Sequence, residues 1–370
     1  MKSLIQSLAY HNKSDISLYP CAACAYPALV LTPLTAVLAA RDWYPDISEQ
    51  GAVTNAIRFI DLDTSIPADF SSLHGRVSLF IGVTSNPTPA IRTVAQSMDL
   101  TLTTQAIDDP AFVTVVDLHE AMEHLAVAAT LRTRAAMVLG ATLRQTSQLE
   151  ISDAIAAEAA AYSTLLAGPE FADWLSTRTA KKVAPSLEIE RVLTSITGNT
   201  LNVRLNRKLR LNAIDGPMRA ALVEAFAIAL ADPTLEVLLT GEGPCFSNGG
   251  DLREFGTTPD VSTAWAVRLT QHPGWQLAQL ADRTTVHMHG NCIGAGVEIP
   301  AFASRVIADP ETTFLLPELA MGLIPGAGGC VSIPRRIGRW RTLWLVLTGT
   351  RLSSHEALSW GLIDDIVPIN

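Results

Sequence analysis

Short apolar runs alternate along the chain with stretches whose apolar residues recur every three or four positions, the pattern of an α/β fold. Val77–Val83 is apolar almost without interruption and predicts a strand buried on both faces. Thr84-Ser-Asn-Pro-Thr-Pro89 then predicts a turn capping a helix from Ala90, with a second strand at Leu100–Thr103. Ile57–Asp61 reads as an earlier strand, with loops at Tyr44–Ser48 and 63–72. Phe112–Val116 leads into a helical run over Asp117–Leu143, and a further helix is predicted over Ile151–Leu166, followed by Gly168–Arg178. Lys181–Ser186 reads as a linker, dividing the chain into an α/β region over 1–182 and a second one over 186–370. The second opens with a hairpin, Ile189–Thr197 and Thr200–Leu205. A helix over Asp215–Leu230 follows, stopped by Asp232-Pro233, and then a strand over Leu235–Thr240.

Two glycine-rich turns set the second region apart. Gly243-Pro-Cys-Phe-Ser-Asn-Gly-Gly-Asp-Leu252 follows the strand at 235–240, and Gly290-Asn-Cys-Ile-Gly-Ala-Gly-Val-Glu298 follows Thr285–His289. A strand running through such a turn into a helix leaves unpaired N–H groups and the positive end of a helix dipole facing one point. Two such turns brought together hold a developing oxyanion between two donors. Glu298 and Glu318 lie 20 residues apart (318 − 298) in this stretch. A paired acid and base beside an oxyanion hole is equipment for adding or removing water, or a proton, next to a carbonyl.

Thr240–Glu254, His289–Glu298 and Pro317–Gly329 resemble the motifs of the enoyl-CoA hydratase/isomerase (crotonase) superfamily. Leu205-Asn-Arg207 and Leu211-Asn-Ala213 are similar to its N-terminal signature, and Leu347–Ile363 to its Leu-Thr-Gly…Gly-Leu segment. The resemblance runs over about Leu193–Val367, with five motifs in order. It implies a β-β-α spiral core with a helical cap, working on an acyl-CoA thioester as a homo-oligomer. CoA is then part of the substrate, and no separate cofactor or metal is implied. The resemblance places the oxyanion donors at the N–H groups of Gly250 and Ala295 and the acid–base pair at Glu298 and Glu318. Both glutamates together favour hydration of a 2-enoyl-CoA or the reverse dehydration. Isomerisation, another thioester-enolate reaction, and a non-catalytic assembly subunit are the other readings. The CoA moiety is expected along Asn206–Ala213 and Gly249–Arg253. Arg207, Lys208, Arg210 and Arg253 are candidate phosphate partners, and Ala213, Gly249 and Asp251 belong to the same surface. Leu209 stands where the family usually has a lysine. Asn248 is expected to cap its own turn or to project into the acyl pocket.

In the family, several helices follow the Gly-Leu-Ile segment and cover the acyl-CoA site, whereas this sequence stops at Asn370. The residues over 156–178 resemble that cap, so the 117–182 region is expected to pack in its place. The motif-poor first half is then either a degenerate copy of the core or an ordinary β-α-β unit, with Ala90 where Glu298 would stand.

With 48% hydrophobic and 17% charged residues, the 370-residue chain has ample material for a core. A net charge of −9 argues against a nucleic-acid partner, which needs a Lys/Arg stripe. The start lacks a full secretory pattern, and no apolar run reaches membrane-spanning length, so a cytoplasmic protein without a membrane partner is expected. Five cysteines do not make a disulfide framework. Cys21-Ala-Ala-Cys24 has metal or redox spacing but no second ligand pair. His119 and His124 are five positions apart and diverge by roughly 140° on a helix, unlike a zincin pair. Cys245 and Cys292 lie near the expected site with no base partner for thiol chemistry.

Overall fold

The strand predicted to be buried on both faces is the middle strand of a five-stranded parallel sheet. The computed structural model describes residues 29–41, 43–178 and 190–368. The first sheet has the order β1 (Leu31–Pro33), β4 (Ile57–Asp61), β5 (Leu79–Thr84), β6 (Leu100–Thr103), β7 (Phe112–Thr114). All six residues of β5 are buried. Leu79, Ile81 and Val83 face one apolar cluster, and Phe80 faces another with Leu34, Ile60, Val94 and Phe112. Alternate side chains of one strand thus feed two cores. The stretch expected as a loop at Tyr44–Ser48 instead enters a small antiparallel hairpin, β2 (Asp46–Ile47) with β3 (Val53–Thr54).

The helical run expected over Asp117–Leu143 is two helices, Leu118–Leu131 and Thr133–Thr146. The break falls at Arg132, whose φ of −136° and ψ of 58° are not helical. Asp117 caps the first helix through Glu120 N. Glu170 caps the second, accepting from Arg134 N and Ala135 N at 2.7 and 3.1 Å. Arg132 itself reaches the Ala320 carbonyl. Local periodicity continues through this point, and tertiary partners stop it.

In the second half a six-stranded sheet runs β16 (Asp365–Ile366), β13 (Arg305–Ala308), β11 (Thr284–Met288), β10 (Glu236–Gly241), β9 (Thr200–Leu205), β8 (Val192–Thr197). Only the β8–β9 hairpin is antiparallel. After β11 the chain turns into β12 (Asn291–Ile293), which leaves this sheet and pairs in parallel with β14 (Thr313–Leu315), itself antiparallel to β15 (Leu352–Ser353), in a three-stranded one. A short helix, Ala295–Glu298, then returns the chain to β13. Strand, strand in the other sheet, helix: this is the β-β-α spiral, and its corners carry the glycine turns.

The two halves share one apolar cluster, which includes Leu79, Leu139 and Phe171 from the first and Val203, Phe226 and Ile333 from the second. The helices Thr133–Thr146 and Ile151–Leu166 pack on Gly329–Thr348 and Val261–Thr270. Polar ties cross the same boundary. Thr146 Oγ1 donates to Cys330 O at 2.6 Å, Arg335 to Leu149 O at 2.7 Å, and Trp340 Nε1 to Met98 O at 3.1 Å. The two α/β regions read from the sequence therefore form one packed body, with the 117–178 helices lying on the spiral. The Cys21/Cys24 pair and the 181–186 linker lie outside the described residues. No helix among the described residues is long and apolar enough to cross a membrane.

Candidate active site

The first glycine turn is held from below by Asn212. This residue is fully buried and left-handed (φ 51°), a conformation that asparagine tolerates better than most side chains. Its Nδ2 donates to the carbonyls of Glu242, Cys245 and Phe246 at 2.8 to 3.0 Å, while Oδ1 accepts from Arg207 N. The turn is capped by Ser247, not by Asn248. Ser247 Oγ accepts from Gly249 N at 3.1 Å and donates to Asn212 O at 2.8 Å. Gly249 has a φ of +78°, and a Cβ there would overlap the Ile293 carbonyl oxygen of the other turn, so only glycine lets the turns meet. Ile214 N donates to Gly249 O, and Asp251 N to Ile214 O. The N–H between them, at Gly250, has no protein acceptor among the described residues. On the facing turn Gly294 N donates to Leu315 O, and Ala295 N likewise has none. Both are N–H groups to which the resemblance assigns the oxyanion.

Glu298 and Glu318 come together at Gly294. A Cβ there would lie 2.6 Å from Glu318 Oε1 and 3.8 Å from Glu298 Oε1. Both side chains are deeply buried, at 2% and 6% exposure, but their surroundings differ. Glu298 Oε2 accepts from Ala327 N and Gly329 N at 2.7 and 2.9 Å. Burial pushes its carboxyl up and these donors pull it back, leaving it at about 7. Glu318 has a buried Oε2 with no partner. Burial, then the neighbouring Glu298 charge, holds it well above the carboxylate range.

Sequence reasoning missed a third carboxylate. Glu158, in the helix Ile151–Leu166 of the first half, is 1% exposed and accepts from Gly328 N and Cys330 N, both at 2.7 Å. Burial and the Glu298 charge push it well up. Its only sequence signal was its place in a segment similar to the family's cap. Tyr162, one turn on, lays its ring against Gly326, and the Arg268 guanidinium stacks over that ring at 3.9 Å. These two side chains stand beside the glutamates, and Tyr162 is held up to about 12 by burial.

The expected phosphate partners divide. Arg207 is a correction: it is 1% exposed and turned inward. Its guanidinium pairs with Asp215 at 3.2 Å and Asp251 at 2.8 Å and donates to Ala213 O. It clamps the base of the first turn, and the cation that looked available in sequence already has its anions. Asp251 is likewise buried, paired with Arg207 and Arg253, and held well below its ordinary value once hydrogen bonds from both overcome its burial. Arg253 keeps its side chain 36% exposed while bound to Asp251. Lys208 is exposed beside Gly243, and Leu209 is 73% exposed. Cys245 and Cys292 are buried, and burial raises both thiols.

An apolar cavity lined by Val297, Phe314, Leu316, Ile333 and Leu345 lies within the spiral, and none of Gly250, Ala295, Glu298 or Glu318 lines it. Ala295, Glu298 and Glu318 are buried, whereas Gly250 is partly exposed.

The family model described as enoyl-CoA hydratase/isomerase matches residues 195–370. The chain is similar to 1,2-epoxyphenylacetyl-CoA isomerase of Escherichia coli, 32% identical over 185 residues covering 48% of this chain and 70% of that protein. It is 31% identical over 179 residues to mevalonyl-coenzyme A hydratase of Beauveria bassiana, covering 46% of this chain and 64% of that protein, somewhat under two thirds of its length. A solved enoyl-CoA hydratase from Thermoplasma volcanium matches with 29% identity, covering 49% of this chain and 73% of that one at a TM-score of 0.46.

Proposed function

The chain belongs to the enoyl-CoA hydratase/isomerase family, and from that premise we propose that it hydrates 2-enoyl-CoA thioesters or dehydrates the 3-hydroxy products. The observation that carries this reading is the convergence of Glu298 Oε1 and Glu318 Oε1 at Gly294, one residue from a free donor at Ala295. The thioester oxygen lies between the N–H groups of Gly250 and Ala295, which stabilise the enolate as negative charge moves onto it. The environments of the glutamates divide their roles. Glu298, held by two N–H groups, reaches its ionised form first and takes the proton of the attacking water. Glu318, with no donor on Oε2, keeps its proton and delivers it to the α-carbon. The bookkeeping closes: water gives its proton to Glu298 and its oxygen to the β-carbon, while Glu318 supplies the α-hydrogen. CoA enters as part of the substrate, its phosphates meeting Lys208 and Arg253 at the rim.

The test is turnover of crotonyl-CoA and longer 2-enoyl-CoAs by the wild type, Glu298→Gln and Glu318→Gln. Each variant is expected to lose about 10²- to 10⁴-fold in kcat. Wild-type turnover falls as pH drops through about 7, because Glu298 is then protonated and cannot act as base. Full activity in either variant contradicts the two-carboxylate mechanism. Isomerisation of an acyl-CoA is the second reading, favoured by the likeness to a relative named as an isomerase. It predicts product from 3-enoyl-CoA and none of the hydrated species.

A further inference from the structure

Ala327, Gly328, Gly329 and Cys330 present four successive backbone N–H groups, and two carboxylates take them alternately. Glu298 accepts the first and third, and Glu158 accepts the second and fourth. The alternation is possible because Gly328 is left-handed (φ 103°), which throws neighbouring N–H groups to opposite sides as the helix Gly329–Thr348 begins. Glu298 belongs to the spiral, whereas Glu158 arrives from the other half of the chain, 140 residues earlier (298 − 158). One anion is sufficient to complement a helix N-terminus, and a second buried carboxylate beside it adds like-charge repulsion. Its presence calls for a role that the first carboxylate cannot fill.

Geometry supplies that role. Glu298 uses Oε2 for its two backbone donors and turns Oε1 toward Glu318. Its orientation is therefore only as firm as the 327–329 backbone. That backbone is pinned on its other side by Glu158, and Tyr162 of the same helix closes over Gly326. We propose that Glu158 is a positioning residue for Glu298. It reaches in from the first half to anchor the 327–330 turn, so that the N–H groups of Ala327 and Gly329 hold the base in register with Glu318 and the two oxyanion donors. Glu158 touches no reacting atom in this scheme, since both its oxygens are occupied by backbone donors. The inference rests on Glu298 being the base of the proposed reaction.

A residue that merely docked one half on the other would affect stability alone, and Thr146 provides that control. Its hydroxyl ties the same turn to the first half through Cys330 O without engaging any N–H group in the alternating row. In the full chain, Glu158→Gln keeps the side-chain size but replaces one acceptor with a donor aimed at an N–H. The expected result is a kcat on 2-enoyl-CoA lowered about ten- to a hundredfold with KM within about threefold of wild type. Amide exchange should be faster at Ala327 and Gly329 as well as at Gly328 and Cys330. Thr146→Val is expected to keep the wild-type kcat and wild-type exchange at Ala327 and Gly329. Should Glu158→Gln not fold, Glu158→Asp carries the same test by keeping the charge and shortening the reach. A wild-type kcat, or unchanged exchange at Ala327 and Gly329, in the folded Glu158 variant overturns the proposal. A wild type inert on every enoyl thioester defeats the functional reading instead, and the exchange measurement still decides whether Glu158 positions Glu298.

Discussion

The first-half unit β5–helix–β6 and the second-half unit β11–helix–β13 share a plan: two neighbouring parallel strands joined through a turn and a helix. Only one of them carries the candidate site. After β5, polar side chains satisfy the turn. Asp63 accepts from Ser85 N, Thr84 Oγ1 from Asn86 N, and Thr88 Oγ1 from Ile91 N. Ala90, on the following helix, is exposed. After β11 the chain inserts β12 and turns at Gly294, leaving Ala295 N without an acceptor among the described residues and Glu298 buried beside Glu318. A turn that caps itself is stable and chemically idle. A turn stripped of side chains exposes donors that a substrate oxygen can use. The first half contributes instead helices that pack on the second, and one carboxylate, Glu158, that reaches the same turn as Glu298.

If this division of labour holds, damage to the first half costs stability and damage to the second-half turns costs turnover. The largest stability effect is expected at Asp99, buried among Arg76, Arg144 and Arg339. Burial alone would push its carboxyl up, but these guanidiniums outweigh burial and hold it at about 2 against an ordinary 3.8. Asp99→Asn leaves buried cations uncompensated and is expected to cost about 3–5 kcal/mol in urea unfolding, with the kcat of the folded protein unchanged. A folded-state value below the unfolded one means that Asp99 contributes stability above about pH 4, lost as pH falls through about 2. The variant should therefore flatten that part of the stability–pH curve.

A matched pair of glycines sharpens the contrast with a smaller effect. Gly249→Ala puts a Cβ at positive φ into the Ile293 carbonyl. It should cost about 1–2 kcal/mol in strain and, by moving the Ala295 donor, about 10²- to 10³-fold in kcat. Gly82→Ala, in the middle of β5, meets only side chains, Leu62 Cδ1 at 2.7 Å and Thr101 Oγ1 at 2.8 Å. It should cost about 1–3 kcal/mol of overpacking and leave kcat alone. Equal kcat losses from the two substitutions would erase the distinction between the halves.

The glycine turns and the Glu298/Glu318 pair were legible in sequence because their chemistry is local: a strand, a turn without side chains and a short helix lie within a few residues. The strands at 57–61 and 100–103 and the helix at 151–166 were legible for the same reason, through hydrophobic period and capping. What was not legible depends on partners far along the chain. Arg207 reads as a free cation until Asp215 and Asp251 fold onto it. The break at Arg132 depends on Glu170 and Ala320. Asn212 and Ser247, which shape the first turn, look like ordinary polar loop residues until their carbonyl and N–H partners are in place. Glu158 sits in an alanine-rich helix whose periodicity marks one face as buried but cannot say that Glu298 lies beyond it.

The most direct test of the central claim is a crystal structure of the full chain with an unreactive acyl-CoA thioester analogue. The account predicts the thioester oxygen at about 2.7–3.1 Å from both Gly250 N and Ala295 N, with the α- and β-carbons between Glu298 Oε1 and Glu318 Oε1. An analogue bound with its thioester oxygen away from those two amides, or with either glutamate turned from the acyl carbons, would contradict it.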